Sequence, residues 1–134
     1  MPIIIDGWNL IRNRRSAIRD DGADSLESAQ VLISYLNEFQ ETHNDPIVLV
    51  FDSTNEYLDM RYTNTSKLRI VAARDADKYI KKYIEDTPDR QRRNVRVVSS
   101  DNDIYYHAKS YFAVPLKCEA FWDKLQRRKE DEDV

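Results

Sequence analysis

The chain has 134 residues, of which 41% are hydrophobic, 10% aromatic and 34% charged, with a formal net charge of −3. That length encloses one core without disulfides or a structural metal, leaves no room for a second domain (1–134 is one unit), and the apolar content excludes a disordered chain. One cysteine, Cys118, excludes an internal disulfide and a cysteine-based zinc site, and no apolar run approaches the ~20 residues of a membrane span, so a cytoplasmic protein without a membrane partner is expected.

In chain order, the first apolar run, Ile3 to Ile5, stops at Asp6. Arg12, Arg14, Arg15 and Arg19 crowd the stretch that follows, where guanidinium groups would lie along a nucleic-acid backbone beside the Asp6 edge. Asp24 with Glu27 resembles a capping box, and Leu26, Ala29, Ile33, Leu36 and Phe39 then repeat at helical spacing. A second apolar run, Ile47 to Phe51, stops at Asp52. The aperiodic segment Ser53 to Lys67 carries Tyr57, Arg61 and Tyr62; loops of this length are often functional, and its tyrosines suit either stacking on unpaired bases or packing on the domain.

Leu68 to Ala72 reads as a third strand and leads into a helical stripe of Ala76, Tyr79, Ile80, Tyr83 and Ile84. At 100° per residue Asp77 lies roughly 90° from the centre of that stripe, flanking the core, while Lys78 faces solvent. A second basic cluster, Arg90, Arg92, Arg93 and Arg96, precedes a fourth run, Val95 to Val98, which passes through Ser99 and Ser100 into Asp101 and Asp103. Helical spacing returns at Ile104, Ala108, Tyr111 and Phe112, a fifth strand runs from Ala113 to Leu116, and Cys118, Phe121, Trp122 and Leu125 mark the last helix, after which 130–134 reads as a disordered acidic tail.

Short strands without clean alternation, separated by amphipathic helices, imply a parallel sheet of about five strands flanked by helices. The only glycines, Gly7 and Gly22, form neither a dinucleotide nor a P-loop motif, so no dinucleotide is expected. Ligands of open parallel sheets bind beyond the carboxyl ends of the strands, and those positions are acidic here. Each acid alone suits a local role: Asp6 and Asp52 in turns, Asp77 in a first helical turn, Asp101 as an N-cap. Together they conflict, because carboxylates converging to ~4 Å repel by several kcal/mol per pair at an effective dielectric of about 20. A hard cation resolves the conflict, and all-oxygen ligands select Mg²⁺ or Mn²⁺. His43 and His107 have no paired spacing for zinc. A metal held this way suits phosphodiester hydrolysis.

Four strings then resemble one family in order along the chain: Ile3-Ile4-Ile5-Asp6-Gly7-Trp8-Asn9, Val50-Phe51-Asp52, Ala76-Asp77-Lys78-Tyr79-Ile80 and Ser99-Ser100-Asp101-Asn102-Asp103. They are similar to the NYN domains, PIN-like ribonucleases, and especially to the bacterial YacP-like group. The resemblance implies a PIN-like α/β fold of the flavodoxin-like, Rossmannoid kind and an endoribonuclease dependent on Mg²⁺ or Mn²⁺. It implies metal-site roles for Asp6, Asp77 and Asp101, a water- or substrate-positioning role for Asn9, and supporting roles for Asp52, Ser100 and Asp103. RNA is the implied substrate, with Arg12, Arg14, Arg15 and Arg61 as candidate contacts, and the ribosome is one implied partner. Trp8 stands where the family usually has Tyr, and Lys78 where a second Asp commonly follows, which bears on a second metal. An aspartyl phosphatase would need Asp at Trp8, and a receiver domain a Lys-Pro pair where Pro115 precedes Lys117. A binding-only module of the same fold is the remaining alternative.

Overall fold

Among the described residues, five strands and six helices follow in the order β1 (Ile3–Asp6), α1 (Gly7–Ile11), α2 (Leu26–Phe39), β2 (Ile47–Asp52), β3 (Leu68–Ala73), α3 (Ala76–Asp86), α4 (Asp89–Arg92), β4 (Arg96–Val98), α5 (Asn102–Ser110), β5 (Val114–Leu116) and α6 (Cys118–Glu132). The computed structural model describes residues 1–18, 26–52 and 65–132, with side chains as far as Gln126. The capping-box Asp24, Arg19, and the loop residues Tyr57, Arg61 and Tyr62 lie outside the described residues.

All five apolar runs form strands, paired in parallel in the order β3-β2-β1-β4-β5. Alternation along β1 divides the core between the two faces of the sheet. Ile3 and Ile5 pack with Leu32, Leu36, Phe121 and Trp122, under α2 and α6. Ile4 packs with Ile80, Ile84, Ile104 and Ala108, under α3 and α5. The connection from β1 to β2 and those returning from β3 towards β5 place their helices, α2 on one side and α3 and α5 on the other, on opposite faces, as right-handed crossovers require. The direction reverses between β1 and β4, and there the carboxyl ends of two neighbouring strands open a crevice.

The structure differs from the sequence reading at four places. Gly7–Ile11 forms a short helix directly after β1, buried through Trp8, Leu10 and Ile11. A Cβ on Gly7 would stand 2.5 Å from the Phe51 ring and 3.0 Å from the Val50 carbonyl oxygen, so only glycine lets α1 start this close to β2. Asp89–Arg92 adds a single turn, α4, whose Arg92 guanidinium donates to the carbonyls of Ile84, Glu85 and Thr87 at the end of α3. Residues 130–132, read as disordered tail, continue α6; Glu, Lys and Arg are good helix formers, and no Gly or Pro interrupts the run.

The fourth difference is at the end of α5, where a Schellman cap forms without glycine. Ala113 N–H donates to the Ala108 carbonyl (3.0 Å) and Phe112 N–H to that of Lys109 (3.1 Å). This puts Phe112 at φ 64°, a left-handed conformation that costs an L-residue about 1 kcal/mol. Its ring is 77% exposed, so burial does not offset the strain. β5 then forms an edge whose Pro115 removes one hydrogen-bond donor, a common place for proline.

Candidate active site at the switch point

Asp6 ends β1 at the reversal in strand order, and Ser99 to Asp101 leave β4 beside it. Asp6 is buried enough that its carboxyl is pushed up to about 6. Loss of hydration is the largest cause, and the charges of Asp77 and Asp101 add to it; the Asn9 backbone amide and the Ser99 hydroxyl oppose it. The Ser99 hydroxyl, itself buried, lies 3.5 Å from Asp6 Oδ2 and accepts from the Asp101 N–H at 3.1 Å. It thereby ties the end of β1 to the start of α5.

Asp101 caps α5, accepting from the Asp103 N–H at 2.8 Å. Asp77 lies in the first turn of α3, and its carboxyl is also raised, by burial first and by Asp101 second, while Lys81 lowers it. Asp75, the neighbouring acid, accepts from the Lys78 N–H as the N-cap of α3. Lys78 itself is exposed, as its angular position predicts.

Asn9 projects from α1 under the crevice. Its Oδ1 accepts from the Ser100 N–H at 2.7 Å and from the Cys118 thiol at 3.2 Å. Ser100 Oγ accepts from the Cys118 N–H and lies 3.3 Å from a Glu119 carboxylate oxygen, while the other Glu119 oxygen accepts from Asn13 at 2.9 Å. The Asn13 hydrogen bond is the main reason the Glu119 carboxyl sits below its ordinary range. Burial pushes the Cys118 thiol up to about 11, so it is a neutral packing and hydrogen-bonding group and not a nucleophile.

The remaining candidates separate. The Asp103 side chain is exposed and pairs with Lys81, whose Nζ also lies 3.9 Å from Asp77. Asp52 is exposed, and its part in the site is made by its backbone: the carbonyl accepts from Trp8 Nε1 at 2.9 Å. Trp8 is thus a buried prop, its ring packed at a tilt of 51° against Phe51 with centroids 4.6 Å apart. Arg12 lies over the Trp8 ring, Arg14 is exposed, and Arg15 pairs with Asp123 at 2.9 Å. His43 stacks on Phe39, and His107 lies 3.2 Å from Glu85 and beside Tyr111, far from zinc chemistry. Three contributors escape the sequence reading: Ser99, Lys81 and Glu119. Glu119 follows the fifth strand as the other acids follow theirs, so the strand-end rule applied to β5 finds it.

Among the described residues, no three His, Cys, Asp or Glu side chains converge into a finished metal cage, which corrects the expectation of carboxylates packed at ~4 Å. Asp6 feels the charges of Asp77 and Asp101, and Asp77 feels that of Asp101. The donor set still fits a hard ion, because Mg²⁺ keeps several waters and is commonly held by one or two carboxylates plus substrate phosphate.

The family model described as the YacP-like NYN domain matches residues 3–133. The chain belongs to the YacP-like NYN family. This is a family of PIN-like nucleases, which generally use divalent metals. Among solved structures, the chain is similar to Rae1 (YacP) from Bacillus subtilis, with 19% identity and a TM-score of 0.70 over 99% of this chain and 79% of that one. A tryptophan-to-leucine variant of Rae1 gives 22% identity and a TM-score of 0.71 over 98% and 80%. At those identities the likeness shows the fold, with its five-stranded parallel sheet. No curated protein matches the chain. Among the described residues, no helix of this YacP-like chain is long and apolar enough to cross a membrane.

Proposed function

We propose that the chain is an endoribonuclease that hydrolyses phosphodiester bonds in single-stranded RNA with the help of Mg²⁺ or Mn²⁺ held at the switch point. The observation that carries this reading is the half-buried Asp6 carboxyl at the switch point, tied to Ser99 and raised to about 6 by lost hydration and by the charges of Asp77 and Asp101. The charges of Asp77 and Asp101 make ionised Asp6 costly, a cost that a divalent ion removes while leaving coordination positions for a substrate phosphate.

Asp6, Asp77 and Asp101 would hold the ion. When bound, it supplies Lewis acidity and neutralises charge developing on the phosphate. Asp6, ionised at neutral pH despite its burial, accepts or orients a proton of an attacking water. Ser99 holds Asp6 and the Asp101 backbone in register. Asn9 and Ser100 fix the floor of the crevice, with Cys118 and Glu119 behind them. Asp52 and Asp103 are supporting acids in this reading, and Lys81 balances the charge of Asp77 and Asp103 before substrate arrives. Arg12, Arg14, Arg15 and Arg61 are the proposed backbone contacts, and the ribosome the proposed setting, in keeping with the family resemblance.

The test is cleavage of a single-stranded RNA with Mg²⁺ or Mn²⁺, with and without EDTA and with and without ribosomes. Asp6→Asn and Asp101→Asn should lose cleavage while circular dichroism stays native-like. Ser99→Ala should lose about 10- to 100-fold, as partners that orient ligands do. Undiminished cleavage by both Asn variants would remove the site from consideration. Undiminished RNA binding with no cleavage by the wild type under any of these conditions would favour the binding-only module.

A further inference from the structure

The second basic cluster and the strained Phe112 take no part in the site described above. Arg92 is spent on the carbonyls at the end of α3, an ion pair with Asp89, and a 5.1 Å stack on Tyr111. Arg93 is exposed and makes no ion pair among the described residues, and it borders a cavity of about 280 Å³ together with Phe112. From there α5 leads back to Asp101, and its outer face is aromatic and basic. Tyr105, Lys109 and Phe112 follow at four- and three-residue spacing. Tyr106, 64% exposed, meets Tyr105 edge-on at 5.5 Å. Lys109 lies over one side of the Tyr105 ring at 5.8 Å, and Lys117, from the turn after β5, lies over it at 5.0 Å.

Resting on the ribonuclease reading, we infer that this stripe, from Lys117 past Tyr105, Tyr106 and Lys109 to Phe112 and Arg93, binds single-stranded RNA that enters or leaves the carboxylate crevice. Bases stack on sequence-tolerant aromatic faces, and phosphates pair with cations interleaved between those faces; the stripe presents both. Its line begins at Asp101, which belongs to the crevice, and spans the nine residues of α5, about 14 Å of helix. Phe112 adds an independent sign. A bulky residue is kept in a glycine conformation with its ring in water, which folding does not reward and stacking on a base does. Charge complementarity selects nucleic acid over an apolar protein segment, since Lys109 and Lys117 flank the Tyr105 ring and Arg93 lines the same cavity as Phe112.

The experiment measures binding of a fluorescent single-stranded RNA to the Asp6→Asn protein by anisotropy, in EDTA and at two salt concentrations. In that background Tyr106→Ala and Phe112→Gly should each weaken binding about tenfold. Lys109→Gln with Arg93→Gln should reduce the salt slope by about two. Phe112→Gly should also raise the melting temperature by about 3 °C, which separates lost binding from lost fold. Unchanged RNA affinity in a Tyr106→Ala, Phe112→Gly double variant overturns the stripe, including the case in which that variant instead loses a ribosomal or other protein contact. Cleavage by wild-type protein, assayed in parallel, keeps the two readings apart. Weakened binding beside absent cleavage would leave the stripe standing and the catalytic reading fallen, and intact cleavage beside unchanged binding would do the reverse.

Discussion

Asp6 keeps its proton to about pH 6 because folding strips it of water and sets Asp77 and Asp101 nearby. Between the ordinary carboxyl value of 3.8 and about 6, the folded chain therefore binds more protons at this position than the unfolded chain. Its contribution to stability falls as pH rises through that window and is fully adverse above it, by up to about 3 kcal/mol. Asp6→Asn should accordingly stabilise the metal-free protein by about 1–3 kcal/mol at pH 7.5, and by less than about 1 kcal/mol at pH 4, in urea titrations at the two pH values. An equal gain at both would mean that Asp6 bears no buried charge. Ion binding must displace the same proton, so Mn²⁺ affinity should decline as pH drops below 6. Asp6, Asp77 and Asp101 are legible in the sequence because each immediately follows a strand or opens a helix. Asp77 and Lys81 stand at i,i+4 spacing within α3, but the bridge from Lys81 on to Asp103 is not legible, since it depends on α3 and α5 lying side by side on one face.

The helices that sequence periodicity misses are the two shortest. Five residues in α1 and four in α4 complete too few turns to display a stripe, and the burial of α1 comes from its position under β2, not from its pattern. The cap of α5 is hidden for another reason. Helix ends are usually announced by glycine, and this chain has only two, so Phe112 fills a position whose backbone demand its side chain does not advertise. Replacing it with glycine relieves the left-handed strain and should stabilise the fold by about 0.5–1 kcal/mol in a thermal or urea melt. A loss of stability would indicate that the exposed ring packs more productively than its environment suggests.

Across the molecule, strand positions follow from apolar runs, but their order does not. Nothing in a list of five strands says that β1 lies in the middle, or that the winding reverses between β1 and β4. Without that reversal the acids are a set of strand ends; with it, Asp6 and Asp101 share a crevice. The central strand has partners on both sides, whereas β3 and β5 each have one. In native-state hydrogen exchange the amides of Ile4 and Ile5 should therefore be among the slowest, and those of the edge strands should open earlier. Comparable protection at Val114 and Ile5 would contradict this hierarchy.

The pairing of β1 with β4 also sets when the candidate site can form during synthesis. Ile3 and Ile5 meet their partners Arg96 and Val98 only after the intervening segments, with β2, β3 and α3, have been synthesised, and Ser99 and Asp101 come later still. A nascent chain stalled before these residues carries Asp6 and Asp77 but lacks the other wall of the crevice. The proposed active site would thus be completed only once both of its walls have been made, an ordering written into the strand order.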